Sequence, residues 1–253
     1  MRDFARKTLI VIALLQFAAP LMPLAGFGET MGVRAVEGGI PPELPLGLFF
    51  SIWSVIFLGY LWLAIAALRA PDTVSAVILA PLWLAGLGNV VWMVSAQLIG
   101  LAWLDFLLLV PILLMAWEAA QRLELTGGGG RSVNGHISEL VTGLLAGWLA
   151  VAVSISVPDV VRTVFGYGAS DYVWPSLWLA LIPAAGLAWL FASRFSQSWW
   201  FFAALAWGLI GVFANNWFRT QTHALALAVF VFGLYVLWRR ARYGAQGANQ
   251  PMS

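Results

Sequence analysis

Hydrophobic and polar positions divide the chain into eight long apolar runs, separated by short segments rich in polar residues, Gly and Pro. About 20 mostly apolar residues cross a hydrocarbon core roughly 30 Å thick. The pattern therefore predicts eight transmembrane helices, near residues 8–27, 47–69, 77–97, 101–121, 139–158, 175–193, 198–217 and 222–240. The expected fold class is an all-α integral membrane protein, built as a bundle of about eight helices.

The first run has two interpretations, because basic residues ahead of an apolar stretch are also typical of a signal peptide. This run is long, contains Pro20 and Pro23, and lacks a clear small-x-small cleavage site before Gly28. We expect a retained helix, with a cleaved signal as the alternative.

Basic residues are distributed unevenly across the predicted spans. With eight spans, ten Lys and Arg residues lie on one side and three on the other. Cytoplasmic loops of membrane proteins carry the excess of Lys and Arg. The sequence therefore predicts a bacterial inner-membrane protein with both termini in the cytoplasm.

Composition supports the membrane class and excludes several functions. Hydrophobic residues make up 62% of the chain and charged residues 9%, against roughly 25% charged in soluble domains. A net charge of +2 gives no basic patch for nucleic acid. The chain has no Cys and two His, which excludes thiolate and multi-histidine metal centres. Since no catalytic constellation is visible, we do not expect an enzyme.

Three segments outside the spans have distinct compositions. The outer loop at about 28–46 contains Pro41 and Pro42, and a stiff Pro-rich segment is suited to folding over the mouth of a bundle. The segment at about 122–138 contains four consecutive glycines, which favours a flexible linker. Residues 243–253 are polar and predicted to be disordered.

Aromatic residues form a stripe on the second span. Phe50, Trp53, Phe57 and Tyr60 recur at steps of three and four, so they share one helix face. Such a stripe serves either packing or ligand binding. On the third span Asn89 and Trp92 are three positions apart, so they share a helix face. A buried Asn needs a hydrogen-bond partner, which is either another helix or a ligand.

The 15 tryptophans exceed what a membrane interface needs. Trp92 and Trp148 are among those deep in their spans, where broad indole faces suit planar ligands. Asp105 lies about one turn inside the predicted outer boundary and is a candidate to line an outer-facing site. Asn215 and Asn216 are either an anion site or helix-end caps.

Motifs on consecutive spans resemble those of the tryptophan-rich sensory protein family, the family of the translocator protein or peripheral-type benzodiazepine receptor. They are Pro41-Pro42, F-x-x-W at Phe50 and Trp53, L-x-N-x-x-W at residues 87–92, and Trp148 in the fifth span. The resemblance covers about residues 8–158. It implies a five-helix core at 1–158, three additional helices at 159–242, as in the longer bacterial form, and the tail at 243–253.

The resemblance also implies a pocket for planar hydrophobic ligands such as porphyrins, haem-pathway intermediates and sterols. Its candidate ligand-binding residues, together with those chosen above, are Pro41, Pro42, Phe50, Trp53, Phe57, Asn89, Trp92, Asp105 and Trp148. No cofactor is required, and a bound porphyrin or haem-pathway intermediate is the candidate ligand. The expected partners are the lipid bilayer and a hydrophobic small molecule, with a homodimer as a candidate assembly.

The leading hypothesis is a non-enzymatic sensor or carrier whose pocket opens to the outer side. One alternative is a secondary transporter of a small polar or anionic solute, motivated by Asp105, Asn215 and Asn216. Another is an assembly partner of a further membrane complex.

Overall fold

The computed structural model describes residues 2–34, 36 and 38–249, and within them eight helices are long and apolar enough to cross a membrane. They are α1 (Arg2–Ala18), α2 (Ile52–Arg69), α3 (Ala76–Leu98), α4 (Ala102–Leu125), α5 (Val133–Phe165), α6 (Val173–Arg194), α7 (Trp199–Ala214) and α8 (His223–Tyr243). The prediction of an all-α bundle of eight membrane-length helices is confirmed.

Short turns extend three of these helices. A 3₁₀ turn at Ala19–Ala25 continues α1 and contains Pro23, and a 3₁₀ turn at Gly47–Ser51 leads into α2. A π-helical turn at Asn215–Arg219 continues α7. Between the first two helices, Met31–Arg34 form one further helical turn.

α5 is longer than the predicted span at 139–158. Its N-terminus is capped by the Ser132 hydroxyl, which accepts a hydrogen bond from the Gly135 N–H at 3.0 Å. At its other end Gly166 adopts a left-handed backbone with φ of 70°. Because α4 also runs on to Leu125, the segment between the two helices is only 126–132, much shorter than the predicted linker at 122–138.

α5 lies at the centre of the bundle and packs against α2, α4, α6 and α7. Small residues permit the closest of these approaches. Gly143 and Gly147 face the first turns of α7, and a Cβ on Gly147 would meet the Phe201 carbonyl oxygen and lie 2.9 Å from the Ala204 Cβ. In a membrane, helices associate through such close backbone packing.

α3 packs between α1 and α4 through two glycines. A Cβ on Gly86 would lie 2.6 Å from Ile12 of α1, and one on Gly88 would lie 2.7 Å from Ile112 of α4. These contacts fix α3 close to both neighbours, and they set the position of the polar and aromatic side chains that α3 carries.

The last three helices continue the bundle from α5. α6 and α7 pack on α5, while α8 packs on α6 and α7. The chain after α8 turns back onto the bundle: the Gln246 N–H donates to the Ala192 carbonyl at 2.9 Å, and Gly247 is buried near Glu124. The segment around Gly247 therefore contacts the bundle, whereas the sequence predicted disorder over residues 243–253; residues 250–253 lie outside the described chain.

Candidate functional site: an aromatic cluster

Trp53 lies at the centre of a cluster of five aromatic rings. It stacks on Phe57 with 5.3 Å between ring centroids, and its centroid lies 6.1 Å from that of Trp92 and 6.4 Å from that of Trp148. Phe50 contacts Trp148 edge to face at 5.6 Å. Five of the nine predicted site residues are thus brought together.

Three helices supply these rings. Phe50 comes from the 3₁₀ turn before α2, Trp53 and Phe57 follow at helical spacing on α2, and α3 and α5 contribute Trp92 and Trp148. Trp148 and Phe57 are buried, while Phe50, Trp53 and Trp92 are partly exposed. The cluster therefore has a closed floor and an accessible edge.

The ring spacings limit how a flat ligand can bind. Carbon atoms in contact lie about 3.5 Å apart, so a ligand between two rings needs roughly 7 Å between them. Trp53 and Trp92 are 6.1 Å apart and inclined by 35°. A flat ligand therefore has to lie against the exposed edge of the cluster, or the two indoles have to separate.

Asn89 is fully buried and contacts α1. Its amide N–H donates to the Gln16 side-chain oxygen at 3.3 Å, and Gln16 is fully buried as well. The Asn89 oxygen, the Gln16 amide nitrogen and the Trp92 indole N–H are buried without a hydrogen-bond partner among the described residues. Asn89 therefore joins α3 to α1, and polar atoms remain available on the helix that carries Trp92.

Tyr60, the last residue of the aromatic stripe, has a packing role. It is fully buried, and its hydroxyl donates to the Leu82 carbonyl at 3.1 Å. The stripe on α2 therefore serves both purposes, with ring stacking at its first turns and helix contact at its last.

Pro41 and Pro42 are buried against the end of α7. The Pro41 carbonyl accepts from the Asn215 amide at 3.2 Å, and the Pro42 carbonyl accepts from the Asn216 amide at 2.5 Å. The Leu46 N–H also donates to the Gly211 carbonyl at 2.9 Å. The structure thus attaches this loop to the last helices, a connection that the sequence analysis did not anticipate.

An ion pair fixes the same loop to α5 and α6. Glu43 is 2% exposed, and one of its carboxylate oxygens lies 2.6 Å from the Arg162 guanidinium. The other accepts a hydrogen bond from the Ser176 hydroxyl at 3.0 Å. Burial raises the pKa of the Glu43 carboxyl above its ordinary value, and the attraction of Arg162 only partly offsets this.

The remaining predicted residue, Asp105, is half-buried in the first turn of α4. It lies about 5 Å along the axis from the start of that helix. Trp92 lies about 9 Å from the end of α3, so Asp105 is nearer the membrane boundary than the cluster is.

A cavity between α5, α6 and α7 has a volume of about 20 Å³ and is bordered by Glu43 and Ser154. It can hold one water molecule but not a planar ligand. The aromatic cluster therefore remains the stronger candidate for ligand binding.

Sequence reasoning missed Gln16 and the partners of Glu43. Gln16 could have been found, because a lone amide inside an apolar span needs a partner. Nothing in the sequence links Glu43 to Arg162, since 119 positions separate them.

Eight membrane-length helices and a cluster of aromatic rings between them define an integral membrane protein of the helical-bundle class. A family model described as TSPO-like protein matches residues 40–238, which is 199 of the 253 residues. The chain therefore belongs to the TSPO-like protein family, and the predicted family resemblance is confirmed. Searches of curated proteins and of solved structures each found no match.

Proposed function

We propose that this TSPO-like membrane protein binds a planar hydrophobic metabolite of the porphyrin or tetrapyrrole kind, and acts as a sensor or carrier without catalysing a reaction. The observation that carries the proposal is the cluster around Trp53, with a buried floor and an accessible edge. Indole faces stack on flat ring systems, and such contacts are worth about 0.5–1.5 kcal/mol beyond the buried area.

Polar atoms near the cluster support a ligand that also carries polar substituents. The Trp92 indole N–H and the Asn89 oxygen are buried, and within the described part of the chain neither has a hydrogen-bond partner. An unmade hydrogen bond at such an atom costs about 1–3 kcal/mol. A ligand carbonyl or carboxylate accepts from the Trp92 N–H, whereas the Asn89 oxygen needs an N–H or O–H donor on the ligand. Each such bond recovers part of that cost, and no resident cofactor is needed.

The contacts of Asn215 and Asn216 favour ligand binding over solute transport. The transport alternative uses these two amides as solute ligands, yet both donate hydrogen bonds to the Pro41–Pro42 loop. We place the pocket on the outer side of a bacterial inner membrane, with both termini in the cytoplasm, on the basis of the Lys and Arg distribution.

Titration of the purified protein in nanodiscs with protoporphyrin IX tests the proposal. We expect saturable binding, followed by the porphyrin absorbance and by quenching of tryptophan fluorescence. Trp53→Ala and Trp92→Ala should each raise the Kd by about two- to tenfold, since each removes one aromatic contact.

Trp189→Ala is the matched control, because Trp189 is 60% exposed on α6 and belongs to no described ring contact. It should leave the Kd unchanged. Unsaturable binding, or equal losses in the Trp53 and Trp189 variants, would show that porphyrin only partitions into the bilayer.

A further inference from the structure

A surface groove runs between α7 and α8 on the side of the molecule where α8 ends. It has a volume of about 340 Å³, and its lining is aromatic and aliphatic: Trp199, Trp200, Phe202, Ala203, Ala206 and Leu237. From Trp199 to Ala206 the groove follows about 10 Å of helix axis. Both helices are membrane-length, and Trp199 and Trp200 are exposed, so we infer that this groove faces the hydrocarbon region.

Arg240 lies against two aromatic rings at one end of the groove. Its guanidinium carbon lies 4.3 Å from the centroid of the Trp199 ring and 5.3 Å from that of Phe202. Both rings also line the groove. Trp199 begins α7 and Arg240 lies in the last turn of α8, so the charged end is at the boundary and Ala206 lies deeper.

The guanidinium of Arg240 retains an unused donor. One terminal nitrogen donates to the Gln197 carbonyl at 2.7 Å, but Nε is buried and has no hydrogen-bond partner in residues 2–34, 36 and 38–249. The residue as a whole is only 9% exposed. An arginine held on two aromatic rings presents its remaining N–H groups in a fixed plane, which suits the oxygens of a phosphate.

Positive charge predominates around this end of the groove. Glu124 faces Arg240, but its carboxylate already accepts a hydrogen bond from the Gln197 N–H. Arg194, Arg239 and Arg242 are exposed at the ends of α6 and α8. A single carboxylate among these cations leaves a local excess of positive charge.

We propose that this groove binds an anionic phospholipid, with one acyl chain along α7 and α8 and the phosphate beside Arg240. The apolar lining matches an acyl chain, and the cation at the boundary matches the height of a lipid phosphate. Basic pockets between helices on the cytoplasmic side, where the sequence places this end, attract anionic head groups. The site is separate from the aromatic cluster, so it stands independently of the proposed function.

Native mass spectrometry of the full-length protein in mild detergent tests the site. The probes are dioleoylphosphatidylglycerol and dioleoylphosphatidylcholine, which share their acyl chains and differ in the head group. We expect one retained phosphatidylglycerol, with a preference of about fivefold or more over phosphatidylcholine. Arg240→Gln should abolish the preference, and Ala203→Trp, which fills the groove at an exposed position, should reduce retention of both lipids.

Arg239→Gln is the matched control, since it removes the same charge from the neighbouring exposed position. It should keep most of the preference. Equal retention of the two lipids by the unmodified protein would overturn the proposal. So would equal losses in the Arg239 and Arg240 variants, or unchanged retention in Ala203→Trp. Because Ala203→Trp leaves Arg240 in place, this variant still tests the lipid site if Arg240→Gln fails to fold.

Discussion

At the scale of single residues, Glu43 and Arg162 form the most deeply buried charge contact described. Their side chains are 2% and 11% exposed, and the Ser176 hydroxyl donates to Glu43 while accepting from Arg162. Taking two ions out of water is expensive, and mutual attraction repays the cost only when both partners remain. The contact therefore specifies the position of the loop at 41–46 more than it adds net stability.

Replacing one partner should destabilise the protein more than replacing both. We expect Arg162→Met to lower the free energy of unfolding by about 3–5 kcal/mol, because it leaves the buried Glu43 carboxylate without its cation. Glu43→Leu should cost less than that, because Arg162 keeps its contact with Asp159 at 3.3 Å. The double variant should lose less than the sum of the two. Unfolding in mixed detergent micelles measures all three values.

Asp159→Asn provides the control for that cycle. Asp159 is 54% exposed and lies 3.3 Å from the other side of the Arg162 guanidinium, so its loss should cost no more than about 1 kcal/mol. Additive effects of Glu43→Leu and Arg162→Met would contradict the interpretation of a coupled buried pair.

At the scale of elements, the crossing of α5 and α7 depends on the absence of side chains. Gly143 and Gly147 stand one helical turn apart on α5 and bring its backbone against Phe201. In the same interface Gly208 of α7 faces Val151, where a Cβ would lie 2.8 Å from a methyl carbon. Glycines on both helices therefore set the distance between them.

A methyl group at this crossing should force the two helices apart. We expect Gly147→Ala to cost about 1–3 kcal/mol, because overpacking against the Phe201 carbonyl cannot be relieved by a rotamer change. That loss corresponds to several degrees in melting temperature. Gly186→Ala on α6, where a Cβ meets nothing within 4 Å, should leave the melting temperature unchanged or slightly higher. Equal behaviour of the two variants would argue against a glycine-dependent crossing.

At the scale of the whole molecule, the first five helices are joined to the last three on two sides. α5 packs against α6 and α7. The second connection is the loop at 41–46, which is hydrogen-bonded to the end of α7 and to Ser176 of α6. The family match likewise runs from residue 40 through α6 and α7 into α8. We infer that the first five helices depend on α6 and α7 for folding.

Removing the last helices should therefore expose what they cover. A chain ending at residue 165 leaves Gly143, Gly147 and the 41–46 loop without their partners from α6 and α7, and we expect it to aggregate during size-exclusion chromatography. A chain ending at residue 222 lacks α8 but keeps those partners, and it should remain monodisperse. If the shorter chain is monodisperse and melts near the full-length protein, the predicted domain at 1–158 is an independent unit.

The residues of the aromatic cluster could be predicted from the sequence, whereas the contacts of the Pro41–Pro42 loop could not. Spacing on one helix placed Phe50, Trp53 and Phe57 on a common face, and depth in their spans marked Trp92 and Trp148 as unusual. These signals are local, because helix periodicity fixes neighbours along a single element. The Pro41–Pro42 loop has no such periodicity, and its attachment to Asn215 and Asn216 joins residues 174 positions apart.

By itself the sequence determined the membrane class, the number of spans, the family and the residues of the aromatic cluster. Apolar length and helical period act within one segment, so they can be read without knowing its neighbours. Only the tertiary structure decided that Gln16 pairs with Asn89, that Glu43 pairs with Arg162, and that Arg240 lies over the Trp199 ring of α7. Those contacts depend on which helix faces cross and how closely, and steric fit between distant segments decides that.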